Sequence, residues 1–389
     1  MTGRIEIQEF PLWERLKAKR VPLSFELELT ARCTNHCRHC YIDLPAGDER
    51  ARAAELSTDE VLTLGREAVD LGALWCLLTG GEPLLRDDFA EIYLGLKRLG
   101  LLVSVFTSAC VVTPAHVELF QRYPPRDLEV TVYGATRETY EAVTRRPGSF
   151  AAFTRGLQSL LDAGLPVRLK TMALRSNLRE LEEIARFCRE RTKDYYRFDP
   201  FLHLRLDGDE ARNAEIRAER PTPQEVVAVE SADAERIAAL QRGCRDGALA
   251  WPETDEVCLH GVDKLLHCGA GESSFTAGHD GTFRLCSALC HPETVFALRA
   301  DGGGPGTLRA GALREAWEQW VPHVRALRGA DPECLAKCRT CNIVNLCAWC
   351  PAHAALETGR LDAWVESFCE VAHARAAALC ETAGDGSSR

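Results

Sequence analysis

The stretch of this chain best equipped for chemistry is Cys33-Thr34-Asn35-His36-Cys37-Arg38-His39-Cys40-Tyr41. Three thiolates spaced four and three residues apart in one loop can each hold a different iron of a cubane cluster. No further cysteine lies within a few residues, so one iron stays open to bind another molecule. The competing chemistry is zinc, which favours four ligands in pairs across a turn, and here only His36 or His39 could complete the set locally. A second constellation begins at Cys268 and Cys286, resumes as Cys338-x2-Cys341-x5-Cys347-x2-Cys350, and closes at Cys369. Two zinc knuckles need a longer gap than five residues to fold around one metal. Cubane clusters that share ligands across the chain suit the run better, with zinc as the alternative. Cys258, Cys290 and Cys334 are further candidate ligands. Cys76, Cys110, Cys188, Cys244 and Cys380 stand alone or on apolar faces and read as buried free thiols.

Composition narrows the setting for that chemistry. The chain has 389 residues, 18 of them cysteine, with a net charge of −10. That balance argues against nucleic acid or an anionic membrane as the main partner, because both demand clustered Lys and Arg. No run of apolar residues is long enough to span a bilayer, and the polar N-terminus lacks the apolar middle of a signal peptide. A cytoplasmic location follows as the expectation. There, thiols stay reduced, and so many cysteines point to metal or cluster ligation rather than disulfides.

The elements that must position these residues are legible from apolar periodicity. Residues 25–29 alternate as a strand that ends just before Cys33, and Ser57 with Glu60 forms a capping box that opens a helix to about Gly72. Strands follow at 74–78, 101–107, 128–133, 166–172 and 195–201. Helices lie between them at 87–99, 113–121, 136–143, 149–163 and 177–191. Strand–helix pairs in this order imply right-handed crossovers and a parallel sheet, open or curled into a partial barrel. Parallel α/β folds place their chemistry at the C-terminal edge of the sheet. The cysteine triad and Thr79-Gly80-Gly81-Glu82-Pro83 both fall on that edge. The glycine pair predicts a backbone that approaches a ligand closely, leaving carbonyls to meet an ammonium group. The expected organisation is an extension at 1–22, a core at 23–205, a charged helical bridge at 206–257, a Cys-rich domain at 258–372, and a tail at 373–389.

Over about 23–205 the chain resembles the radical S-adenosylmethionine superfamily, whose signature is three cysteines in this spacing followed by an aromatic residue. The resemblance implies a partial (β/α)6 barrel in which Cys33, Cys37 and Cys40 hold a [4Fe-4S] cluster and Tyr41 packs near the adenine of S-adenosylmethionine. The open iron chelates the cofactor's amino and carboxylate groups, and cleavage of the sulfonium yields a radical that abstracts hydrogen from a substrate. Gly80, Gly81, Glu82 and Pro83 match the family's methionine-binding motif. Thr107 and Ser108 end the third strand, where relatives often carry Thr-Asn-Gly; Thr131 lies where many relatives place a Ser. Lys170, Arg197 and Asp199 point toward the same edge, and Arg145 or its neighbour Arg146 is a partner for the methionine carboxylate.

The C-terminal cysteines resemble the SPASM domain of peptide-modifying relatives, with a last internal spacing of two residues where three is usual. By that resemblance Cys338, Cys341, Cys347 and Cys369 hold a distal [4Fe-4S] cluster. Cys268, Cys286 and Cys350 hold a nearer one, with Cys258 as its fourth ligand or an open iron. Three clusters in all are implied. The resemblance implies a maturase of a ribosomally made peptide or a protein, reduced by a flavodoxin or ferredoxin. Leader recognition falls to a separate protein or to the bridge. Ser287 stands where sulfatase-maturing relatives carry an Asp base, which disfavours that subclass. The other readings are an enzyme acting on tetrapyrrole or sugar side chains, with the auxiliary clusters as electron relay, and a non-enzymatic iron–sulfur scaffold.

Overall fold

Apolar residues two apart along the strands build the centre of the molecule. The computed structural model describes residues 19–193, 196–250, 263–300, 306–338 and 343–384, with 12, 15, 16 and 341; for 243–250 and 381–384 it describes the backbone alone. The strands are β1 (Ser24–Thr30), β2 (Trp75–Gly80), β3 (Leu102–Thr107), β4 (Leu128–Thr131), β5 (Val167–Met172) and β6 (Arg197–Asp199). Between them run α1 (Thr58–Asp70), α2 (Phe89–Arg98), α3 (Pro114–Arg122), α4 (Arg137–Thr144), α5 (Ser149–Asp162) and α6 (Leu181–Arg189). Each strand pairs in parallel with the next. Cys76, Leu78, Val103, Val105, Val130 and Leu169 bury one face against helical residues such as Leu64, Ile92, Phe120 and Ile184. The alternate positions, among them Thr79, Phe106, Thr131 and Lys170, face a cavity on the other side. The predicted capping box opens α1: Ser57 Oγ accepts from Glu60 N at 3.3 Å, and Glu60 Oε2 accepts from Ser57 N at 2.9 Å.

The sheet runs across the expected boundary at 258. β7 (Ser274–Ala277) pairs in parallel with the free edge of β1, and β8 (Thr282–Arg284) and β9 (Phe296–Ala297) follow antiparallel, giving nine strands. An exposed β1 edge would be a template for unwanted pairing, and this extension covers it. Arg284 of β8 forms a buried ion pair with Glu28 of β1. Arg299 does the same with Glu60 at 2.9 Å, so the Cys-rich segment is bolted to the first strand and first helix.

The described part of the expected bridge holds α7 (Glu210–Ala218), α8 (Pro223–Ser231) and α9 (Ala234–Ala250); residues 251–257 lie outside the described residues. Pro223 starts α8 behind a Thr222–Glu225 capping box, a position where the missing N–H costs nothing. Two expectations are corrected. Residues 373–384 are not a tail but the greater part of α11 (Glu366–Gly384), which follows α10 (Pro351–Thr358). Arg375, 5% exposed, donates to Glu230 of α8 at 2.6 and 2.8 Å and to the Leu346 carbonyl at 2.7 Å, so the helix docks on the bridge. Cys380 is exposed rather than buried, whereas Cys76 and Cys188 are buried as expected; the Cys244 side chain lies outside the described residues. Among the described residues no helix is long and apolar enough to cross a membrane.

Candidate active site

At the C-terminal ends of the strands, the loop after β1 closes a cavity of 310 Å³ whose wall includes Cys33, Cys37, Cys40 and Tyr41. The loop is stitched to the end of α4 by backbone bonds from His36 N to Thr144 O (2.9 Å) and Arg38 N to Val143 O (3.0 Å). Burial pushes all three thiols up, Cys40 to about 12, so three thiolates here need a cationic partner, which iron would supply. His36 is not free to act as a zinc ligand: Nδ1 bonds Asp43 Oδ2 at 2.6 Å and Nε2 meets Arg212 Nη1 at 3.1 Å. Among the described residues, no three His, Cys, Asp or Glu side chains converge on a single ion. The triad fits a cluster whose irons take one thiolate each. Tyr41 is half-buried, its ring edge-on to His203 at 5.8 Å.

The Gly-Gly-Glu-Pro segment also has a packing role. A Cβ on Gly80, whose φ is +120°, would stand 2.3 Å from the Thr30 carbonyl oxygen, and one on Gly81 would stand 2.4 Å from that of Arg32. Both glycines line the cavity, but what demands them is the backbone entering the triad loop. Glu82 is fully buried and spends both oxygens within the protein. Oε1 accepts from Thr107 Oγ1 (2.8 Å) and Leu84 N (3.3 Å), and Oε2 from Ser108 N (2.9 Å) and Ser108 Oγ (2.5 Å). Pro83 opens the short 3-10 turn Pro83–Leu85 and is likewise absent from the cavity wall. Glu82 therefore positions Thr107 and Ser108, which do line the cavity. The next residue, Ala109, takes φ +60°, the left-handed state that suits the glycine of the usual Thr-Asn-Gly.

Of the remaining expected contacts, Thr131, Lys170 and Asp199 line the cavity. Lys170 Nζ lies 2.9 Å from Glu129 Oε2 and 3.3 Å from the centre of the Phe106 ring; burial lowers it to about 8, against the opposing pull of Glu129. Arg197 does not reach in: it pairs with Glu129 at 3.2 Å on a half-exposed side chain. Arg145 turns away as well, forming an ion pair with Glu215 at 2.8 Å. Arg146 instead donates to Thr34 Oγ1 at 3.0 Å and Asn35 Oδ1 at 3.3 Å, beside the triad. The sequence flags His39 only as a possible zinc ligand, and among the other lining residues His203 and Phe106 are not flagged at all. His39, lowered to about 4 by burial, has an Nδ1 without a partner and lies against Tyr133 at 5.2 Å; His203 also faces the cavity. Phe106, in phase with Ser104 and Ser108, was the one that strand alternation could have flagged.

The auxiliary cysteines gather in two sets. Cys268, Cys286 and Cys350 lie within electrostatic reach of one another, and Cys347 likewise with Cys338, Cys341 and Cys369. Cys350 caps α10, its Sγ accepting from His353 N at 3.5 Å. Cys334 Sγ lies 3.9 Å from Cys338 Sγ, which puts it beside the second set, while Cys290 faces a separate cavity with Glu28 and Arg284. Cys258 lies outside the described residues. Ser287, directly after Cys286, lines the same cavity as the triad.

Residues 27–188 match the model of the Radical SAM superfamily. An AdoMet-dependent heme synthase of Methanosarcina barkeri (strain Fusaro) is 29% identical over 348 residues, covering 85% of this chain and 92% of the relative. A PqqA peptide cyclase of Ruegeria pomeroyi is 27% identical over 327 residues, covering 84% and 81%. The crystal structure of Streptococcus suis SuiB bound to the precursor peptide SuiA shares the fold, with a TM-score of 0.64 at 14% identity over 95% of this chain and 83% of that one.

Proposed function

This chain belongs to the radical S-adenosylmethionine superfamily, and from that premise we propose that it is a maturase abstracting hydrogen from a peptide or protein to install a crosslink or another oxidative change. The observation that carries the reading is one cavity shared by Cys33, Cys37, Cys40 and Ser287, the residue directly after Cys286. A substrate seated there lies between the triad and the nearer auxiliary set. Cys33, Cys37 and Cys40 would hold a [4Fe-4S] cluster, which together with S-adenosylmethionine would supply the reductive cleavage that starts hydrogen abstraction. The chain's own residues orient and seal. Lys170 keeps its proton on Nζ below about pH 8 and offers it to a carboxylate at the cavity wall. Phe106, Tyr133 and Met172 keep water from the reacting groups.

In the same reading Cys338, Cys341, Cys347 and Cys369 hold one auxiliary [4Fe-4S] cluster, and Cys268, Cys286 and Cys350 hold the other. A flavodoxin or ferredoxin serves as reductant, and a separate protein presents any leader. The similarity to a heme synthase favours a second reading, a tetrapyrrole substrate. The cavity wall speaks for the peptide: beside Lys170 it carries the carboxyl groups of Glu26 and Asp199, a poor match for a polyanionic ring. The test is anaerobic incubation of the reconstituted enzyme with a short peptide encoded beside the gene, followed by mass spectrometry. A loss of two hydrogens or of carbon dioxide is expected. An unchanged peptide, with a carboxylated tetrapyrrole consumed in parallel, would overturn the reading.

A further inference from the structure

We propose that α7 is a clamp on the triad loop, and that Arg212, Asp43 and Arg145 are positioning residues for the cluster held there. The inference rests on the triad being a cluster site and is independent of the substrate. Asp43, with 2% of its side chain exposed, is the hub. Its Oδ2 bonds His36 Nδ1 at 2.6 Å, and its Oδ1 accepts from Arg205 Nη1 at 3.0 Å and from Arg212 Nη2 at 3.3 Å. Arg212 Nη2 also donates to the carbonyl of Cys37 at 2.8 Å, gripping the backbone of the central cysteine. Arg205 is held in turn, its N–H donating to Asn213 Oδ1 of α7 at 2.8 Å.

The far side of the loop is tied to α4, and the two helices are tied to each other. His36 N and Arg38 N bond the last carbonyls of α4, and Arg38 Nε reaches Ala142 O at 2.9 Å. Arg145 ends α4 in the left-handed state, φ +54°, which an arginine holds only where its surroundings demand it. Its side chain reaches α7: Arg145 Nη2 lies 2.8 Å from Glu215 Oε1, while Glu215 Oε2 meets Arg212 Nη1 at 3.1 Å. The contacts close a ring: loop, α4, Arg145, Glu215, Arg212, loop. Two consequences follow. The position of Cys37 is set from the bridge, and a buried guanidinium beside the thiolates favours the added electron of a reduced cluster while the Asp43 carboxylate opposes it.

Opposite electrostatic signs give the test. In the anaerobic full-length enzyme, the triad cluster is identified as the paramagnetic signal that changes on adding S-adenosylmethionine, and its reduction equilibrium is titrated. Arg212→Gln should lower that equilibrium constant about tenfold, or 59 mV for one electron, with partial recovery in Arg212→Lys. Asp43→Asn should shift it the other way. Glu215→Gln should leave the potential in place but speed iron loss to a chelator. A reduction equilibrium constant within twofold of wild type in an iron-replete Arg212→Gln overturns the proposal. If that variant loses its iron, an unchanged or lowered equilibrium constant in Asp43→Asn overturns it instead. Absence of any signal responding to S-adenosylmethionine in the wild type removes the cluster assignment itself, a different failure.

Discussion

Substituting Glu82 by Gln separates two roles for the Gly-Gly-Glu-Pro motif. The side chain accepts four hydrogen bonds, and each carboxylate oxygen receives one backbone N–H, from Leu84 at Oε1 and from Ser108 at Oε2. A hydroxyl can reverse its role, but a backbone N–H cannot. The amide NH2 of Gln must therefore face a backbone donor whichever way it turns. The smaller penalty is toward Leu84, whose bond is the longest of the four at 3.3 Å, with Thr107 Oγ1 turning from donor to acceptor. Losing one bond to a charged acceptor and stranding one buried donor costs about 2–4 kcal/mol, reduced somewhat because a buried charge is also removed. The burial that raises the Glu82 pKa is that opposing contribution. Urea unfolding of anaerobic wild type and Glu82→Gln at equal iron content measures the first effect, and equilibrium dialysis with labelled S-adenosylmethionine measures affinity. The expected result is a clear loss of stability with a modest, less than about tenfold, loss of affinity. Unchanged unfolding with affinity abolished would show that Glu82 touches the cofactor, and the positioning argument would fall.

Other perturbations follow from the same geometry. Gly81→Ala should displace the loop entry and halve the iron bound at the triad, because its Cβ meets only unyielding backbone at 2.4 and 2.6 Å; Gly47→Ala, with nothing within 4 Å, is the matched control, and equal iron in both contradicts the packing argument. Glu230→Gln should strand the buried Arg375 at a cost of about 3–5 kcal/mol and expose α11 to protease; an undiminished half-life under limited proteolysis counts against the docked helix. Lys170 is lowered to about 8 from 10.5, chiefly by burial. The folded state therefore binds fewer protons than the unfolded chain between those values, and stability rises with pH across that window by up to about 3 kcal/mol. Lys170→Met should abolish that rise, while Glu129 keeps Arg197 as a partner; identical pH slopes in the two proteins would refute it.

How much of this was legible in the sequence depends on how far apart the interacting residues lie. The strand–helix alternation and the Ser57–Glu60 box are local patterns, and the structure returns both. Arg145 and Arg146 are indistinguishable by local pattern; their roles divide because Arg145 finds Glu215, 70 residues on, while Arg146 finds Thr34. Glu82 looks like a ligand residue until β3 brings Thr107 and Ser108 against it. The strands β7, β8 and β9 have four, three and two residues, too few for alternation to register, and their place is set by the open edge of β1. The alanine-rich end of α11 carries no amphipathic signal; its docking rests on Phe368, Val371 and Ala372, buried near its start, and on the buried Arg375–Glu230 pair.

The most direct test of the whole account is the formation of 5′-deoxyadenosine by the anaerobic, iron-loaded protein given dithionite and S-adenosylmethionine, measured beside Cys37→Ala. The account predicts product from the wild type and none from the variant, whose iron content falls by about four atoms. Full product from Cys37→Ala, or zinc in place of iron at that loop, contradicts it.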